Sequence, residues 1–474
     1  MRSLLQALVF VLALSFFGGC QKEGESDSNG RLLMFSADTI TFDTIFTSIG
    51  SSTKNLRVYN PTSERITISS IRLTGGENSG FRININGEAS NEVFNTEIPA
   101  RDSIFIFVEA ALNKGGTRQP LVSEDSIIFR MNSREQKVRL LAWGQDYKLV
   151  KSEMVKTTTW TKEKPYLVYN FAYIDSCQTL TIESGSTIYF HKNAGLFIKG
   201  TLIVNGTTGE PVVFKGDRME SGYLNLPDQW NGITLLSGSH NNKIDHAIIR
   251  NANIGLQVGN IEKEGYASVE LSNTRIENMS WSGIWAMKSK ILAYNCVIAN
   301  VGYYNTALLL GGDYQFYHTT FANNSIKLGA PVRSTETLTI SNYLINSKNG
   351  AKYVGDLTQA IFGNCIISGL NKDELKISMD KQGKSSYLFD HCLIQMSDTF
   401  KIQYPDRFIS ILRNTPPRFI NPQKSLFELD TLSAAKDYGK ITYSKMVPLD
   451  LKGADRNADL GPDLGAFERI EKKK

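Results

Sequence analysis

The chain is poor in the residues from which metal and nucleophile signatures are usually built. Only five cysteines and five histidines occur in 474 residues. His191 and His240 stand apart from the rest, with no metal-ligand spacing, so neither a metal nor a cofactor is expected. No run of Lys or Arg forms a stripe, although the formal net charge is +5, and nucleic acid is therefore not an expected partner. No long segment carries a helical period. What remains is rich in Asn, Ser, Thr, Gly and β-branched residues, which points to an all-β protein. The length is too great for one ordinary core and predicts two or three domains.

The first residues form a targeting segment. Arg2 supplies a positive start, and Leu4 to Phe17 is almost wholly apolar. Such a run fits a signal core and is too short to span a membrane. Phe17-Gly18-Gly19-Cys20 then places small residues directly before a cysteine. This resembles the bacterial lipobox. The resemblance implies cleavage of residues 1–20 ahead of Cys20, a lipid on its thiol, and a membrane partner through that lipid. Residues 21–30 read as a polar tether. Gln21-Lys22-Glu23-Gly24-Glu25 is similar to the export signal of Bacteroidetes surface lipoproteins, which implies an outer-membrane, surface-exposed protein.

Residues 31–147 read as a β-sandwich. Asn55–Asn60, Arg65–Ile68 and Ser103–Val108 alternate or nearly alternate, and turn formers such as Asn60-Pro61 and Gly75-Gly76 separate them. Phe42-Asp43-Thr44-Ile45, Val58-Tyr59-Asn60-Pro61, Ile98-Pro99-Ala100 and Leu140-Leu141-Ala142-Trp143-Gly144 resemble the immunoglobulin-like domains of the ASPM, SPD-2 and Hydin group. That resemblance implies a spacer or interaction module.

From residue 160 to about 420 the chain repeats itself. Seven eight-residue segments align, starting at 244, 271, 293, 316, 340, 362 and 389. Intervals of 22 to 27 residues suit the coils of a right-handed parallel β-helix, the solenoid of its repeat family. The sixth column holds Ile249, Ile276, Ile298, Phe321, Ile345, Ile367 and Ile394, and the fourth holds Ala247, Thr274, Cys296, Thr319, Tyr343, Cys365 and Cys392. These two share parity and should face inward. The apolar first column has opposite parity, so the chain must bend near the third. There stand His246, Asn273, Asn295, His318, Asn342, Asn364 and His391. Three of the five histidines thus fall in a slot otherwise filled by Asn, and a structural ladder explains them before catalysis or metal binding does. The eighth column forms a second Asn file. The three cysteines of the inward column are expected as free buried thiols.

Earlier coils are expected from 160 to 243. The segment 421–474, with Asp463-Leu464-Gly465-Ala466-Phe467-Glu468, reads as a cap closing the last rung. Its acids at 450, 455, 459 and 463 lack the spacing of a calcium loop.

Function is less legible. The solenoid hosts lyases, hydrolases, epimerases and adhesins, so fold alone decides nothing. The chain has no G-H-G and no adjacent Asp pair, and no acidic file lines a rung face. No catalytic residue is assigned. Trp281 and Tyr303 each stand three residues past an Asn of the eighth column, and Tyr304 follows. Rings on adjacent rungs would form a flat strip on which sugars stack. The expectation is a non-catalytic envelope protein that binds polysaccharide or a surface partner. The alternative is a polysaccharide lyase or glycoside hydrolase with an unrecognised site.

Overall fold

The structure is a computed structural model that describes residues 32–113, 121–261, 265–324, 333–346 and 349–471. Cys20, the leader and the tether lie outside the described residues. The chain divides into two compact units after Asp146.

The first unit has two five-stranded sheets. One is antiparallel and centres on Lys54–Tyr59, Ser103–Ala110 and Phe81–Ile85. The other centres on Arg134–Gln145, Leu121–Met131 and Ile66–Leu73, with Thr39–Phe46 added in parallel at one edge. Alternation sends Leu56, Val58, Ile106 and Val108 from the first sheet and Ile68, Phe129, Val138 and Leu140 from the second into one apolar core.

The second unit is a 24-stranded, all-parallel sheet wound as a solenoid. From Tyr166–Ile174 through Ala252–Val258 each strand pairs with the strand three places ahead, so a coil has three faces. The first parallel strand is Lys148–Val155, ahead of the expected start at 160. The sixth column is continuous in register from Ile249 through Ile276, Ile298, Phe321 and Ile367 to Ile394. All six are buried, as are Ala247, Thr274, Cys296, Thr319, Cys365 and Cys392 of the fourth column. The first column ends in a stack of rings: Phe316 on Phe362 at 5.3 Å, Phe362 on Phe389 at 4.8 Å, and Phe389 on Phe408 at 5.0 Å.

One of the seven segments is not a rung of this file. Phe321 pairs directly with Ile367, bypassing Ile345, which is 56% exposed. Leu338–Ser341 instead lies on another face, between the strand containing Thr306–Leu308 and Leu375–Ser378. Tyr343–Ile345 then turns out into a hairpin with Lys352–Val354. The pattern of apolar residues around an Asn is the same on both faces, so residues 340–347 mimic a rung within one coil 46 residues long.

The third column does mark a bend, for a reason that spacing alone does not give. His246, Asn273, Asn295, His318, Asn364 and His391 have φ between 45° and 53°. Asn251, Asn278 and Asn300 of the eighth column have φ between 56° and 67°. Left-handed backbone strongly disfavours β-branched and bulky side chains, and Asn and His tolerate it best after Gly. On the coils at 246–251, 273–278 and 295–300 the chain therefore turns two corners at residues suited to that backbone conformation. Asn342 shows no positive φ. Its side chain accepts from Asp380 N at 2.6 Å and donates to Asp380 O at 2.9 Å, holding a different loop.

Candidate functional site

Trp281 and Tyr303 occupy equivalent places on successive coils, because Ser282 pairs with Tyr304 and Tyr304 N donates to Trp281 O at 2.9 Å. Their ring centroids are 4.5 Å apart with an interplanar angle of 15°. This is a face-to-face stack along the solenoid, not a flat strip. Each ring spends one face on the other, so a ligand meets outer faces and edges only. Tyr304 sets its edge against both, at 6.1 Å from Trp281 and 4.8 Å from Tyr303. Trp285, on the same strand face, closes the cluster 5.5 Å from Tyr304. Spacing from the Asn file does not mark Trp285, although its even spacing from Trp281 puts both on one side of an extended chain.

Trp281 is 40% exposed, while Trp285, Tyr303 and Tyr304 are half-buried. Burial, with Tyr303 and Glu336 nearby, pushes the Tyr304 hydroxyl above its ordinary pKa, so it acts as a neutral donor and acceptor. Polar groups border the cluster, one beside Trp281 and two on the preceding coils. Asn253 Nδ2 donates to Ser280 Oγ at 2.9 Å, and Ser280 Oγ donates to Asp228 Oδ1 at 3.3 Å. An exposed indole beside an amide, a hydroxyl and a carboxylate is the kind of surface that takes a sugar, with its apolar face on the ring and its hydroxyls on the rim.

The polar ladder serves another purpose. Asn295 donates to Asn273 Oδ1 at 3.0 Å, which is a bond between neighbouring rungs. Its other partners come from the C-terminal segment: Leu449 O at 2.7 Å and Arg456 Nη2 at 2.8 Å. Asn364 exchanges bonds with Lys440, donating to its O at 3.1 Å and accepting from its N at 2.7 Å. His318 is fully buried, with Nε2 3.0 Å from Asn364 Nδ2, and burial beside Arg456 holds its pKa well below the usual value. His391 Nδ1 lies 2.6 Å from Asp390 Oδ1, and Lys440 Nζ and Tyr443 Oη reach Asp390 Oδ2 at 2.7 and 2.8 Å. Asn273 and His246 both reach Asp245, at 2.9 Å each.

The C-terminal segment is thus a strap laid along the flank of the solenoid, not a lid on its last rung. Outward-facing Val297, Ala299 and Ala322 are buried under Phe427, Leu451, Ala466 and Phe467, and Ile366 and Leu393 under Leu429, Ala435 and Leu464. Covering apolar outward residues is what fixes the strap there. The strap acids act as local backbone acceptors: Asp450 takes N–H groups from Lys452, Ala454 and Glu468, and Asp463 those of Asp437 and Arg469. Cys296, Cys365 and Cys392 are buried free thiols beneath these coils, and burial pushes Cys296 up to about 12.

No family model matches the chain, and no curated protein does. Among solved structures, a family 123 glycoside hydrolase from Clostridium perfringens, studied for glycolipid glycan hydrolysis, is similar at 9% identity and a TM-score of 0.19. The match covers 27% of this chain and 30% of that one. The Agl-KA catalytic domain is similar at 9% identity and a TM-score of 0.21, over 77% of this chain and 90% of that one. Likeness at that level carries no argument about chemistry.

Proposed function

We propose that this chain is a lipid-anchored protein of the bacterial cell envelope whose solenoid binds polysaccharide without breaking it. The exposed Trp281, backed by Tyr303 and Tyr304 and rimmed by Asn253, Ser280 and Asp228, is the observation that carries this reading. Cys20 would hold the protein to the outer membrane, and residues 21–30 would give the folded units reach. The likeness of the first unit's motifs to ASPM, SPD-2 and Hydin domains supports a spacer role for it. One cluster of rings implies weak binding, strengthened where many anchored copies meet one polymer.

The test is calorimetry of the full chain in detergent with neutral glucans and mannans, wild type against Trp281→Ala. The expected result is a fall in affinity of about twofold to tenfold, equivalent to roughly 0.5–1.5 kcal/mol for the lost ring. Equal affinity in the two proteins would remove the aromatic site.

A further inference from the structure

Tyr189, Lys215, Arg250 and Glu277 stand in one outward file on four successive coils. Tyr189 pairs with Lys215 and Arg250 with Glu277, while the Phe214–Ile249 pair just before them sets Lys215 beside Arg250. Further along the file, Ala299 and Ala322 lie under the strap. Of the four residues ahead of Ala299, Tyr189 and Glu277 are buried and Lys215 and Arg250 are half-buried.

The charges in this file do not balance. Glu277 is taken by Arg275, whose Nε donates to it at 2.6 Å. Among the described residues Arg250 makes hydrogen bonds to uncharged acceptors: Leu224 O and Asn225 Oδ1 at 2.8 Å, and Asn251 Oδ1 at 2.9 Å. The Lys215 ammonium has no hydrogen bond or ion pair among the described residues, and lies 4.9 Å from the centroid of the Tyr189 ring. Burial, then the charge of Arg250, lowers the Lys215 pKa. Glu220 in the neighbouring loop is already held by Arg218 at 2.9 Å. Two half-buried cations side by side, with one carboxylate near them that Arg275 already holds, are costly unless an anion from outside completes them.

The surroundings are preorganised. Asn251 Nδ2 donates to Leu226 O at 2.7 Å, and Arg250 holds Leu224 O, so the loop 217–229 is fastened beside the cations. On the other side, Arg275 Nη2 donates to Ser425 O at 2.7 Å and Asn300 Nδ2 to Ser425 Oγ at 3.0 Å, which fastens the near edge of the strap. Tyr189 supplies an aromatic body at the start of the file.

We propose that Lys215 and Arg250 bind the acidic groups, carboxylate or sulfate, of a charged polysaccharide lying across these coils. This rests on the carbohydrate reading above and names its substrate class. An acidic chain would supply the missing counter-charges through charge-assisted hydrogen bonds. Glycan and protein would then meet on both sides of the 217–229 loop, since Asp228 at its end belongs to the rim of the aromatic cluster.

The experiment measures binding of the full chain in detergent to polygalacturonate, dextran sulfate and neutral dextran at low and high salt. The expected result is preference for an acidic polymer, weakened by salt. Lys215→Met and Arg250→Met should each reduce that binding about tenfold or more. Lys215→Arg should retain it, and the thermal midpoints of the variants check folding. If Lys215→Met fails to fold, Lys215→Gln takes its place. Preference for polygalacturonate assigns the carboxylate, and preference for dextran sulfate the sulfate. Equal binding of acidic and neutral polymers, or folded methionine variants that bind like wild type, would overturn the proposal. Trp281→Ala separates the two readings. Loss of neutral-glycan binding in that variant, with Lys215→Met inert, keeps the aromatic site and rejects this one. No binding of any polymer rejects both.

Discussion

At Asn295 the backbone sits at φ 53° and the side chain serves three partners: Asn273, Leu449 and Arg456. The Arg456 side chain is fully buried, so loss of Asn295 Oδ1 would leave a guanidinium hydrogen unpaired. Asn295→Leu is expected to cost about 2–4 kcal/mol, the sum of an unpaired buried donor and a side chain forced into left-handed backbone. Chemical denaturation checks this, and an unchanged midpoint would show that the ladder does not support the strap. Asn295→Gly should cost less than Asn295→Leu, because it retains the backbone conformation. The recurrence of Asn and His in this column is plain in the sequence, and so is the bend. Its cause is not, because stacked amides and left-handed corners both favour Asn. Residues 340–347 show the ambiguity directly, since Asn342 repeats the pattern without the conformation.

The strap is the element on which sequence and structure part company. A chain that follows the last coil reads as a cap, and nothing in linear spacing says that it turns back along the flank. The clue lay in outward positions that are apolar on some coils, Val297, Ile366 and Leu393, and charged on others, Arg275. Gly465 also has a physical reason: its φ is 86°, and a Cβ there would lie 2.5 Å from Thr320 Oγ1. Three carboxylates, Asp390, Asp463 and Glu468, make the docking pH-dependent. Burial raises the Asp390 carboxyl, but donation from Lys440, His391 and Tyr443 outweighs it and leaves the pKa lowered. Its contribution is present above the unfolded value of about 4 and is lost as pH falls through the folded value. Asp463 runs the other way. Burial first, against two backbone N–H groups, raises it to about 6, so its contribution is full below the unfolded value and is lost as pH rises through about 6. Glu468, raised to about 8 first by burial, runs the same way, so proteolytic cleavage within 421–471 is expected to be slowest near pH 4 and to quicken as pH rises through 6 toward 8. Asp390→Asn should remove the acid limb and cost about 1–3 kcal/mol through the unpaired Lys440. Asp463→Asn should flatten the limb between about pH 4 and pH 6. A cleavage rate independent of pH would contradict the assignment.

At the scale of the molecule, the proposed lipid on Cys20 would keep the protein in the envelope, and the coils of the solenoid would present repeated faces to a polymer. Cys20→Ser is expected to release the protein into the soluble fraction, because the lipid would be its apolar anchor. Fractionation that leaves the variant wholly with membranes would reject the anchor. The solenoid and the pairing of Trp281 with Tyr303 were legible from spacing, because coils of near-constant length bring equivalent residues together. The stacked geometry, Trp285 and the Lys215–Arg250 pair were not, since they depend on side-chain direction and on coils without the repeat pattern. The central claim is binding without turnover. It is tested most directly by incubating pure full-length protein with neutral and acidic polysaccharides while following bound polymer and newly formed reducing or unsaturated ends together. Retention of polymer with no new ends is the predicted result, and ends that accumulate in proportion to protein concentration would contradict it.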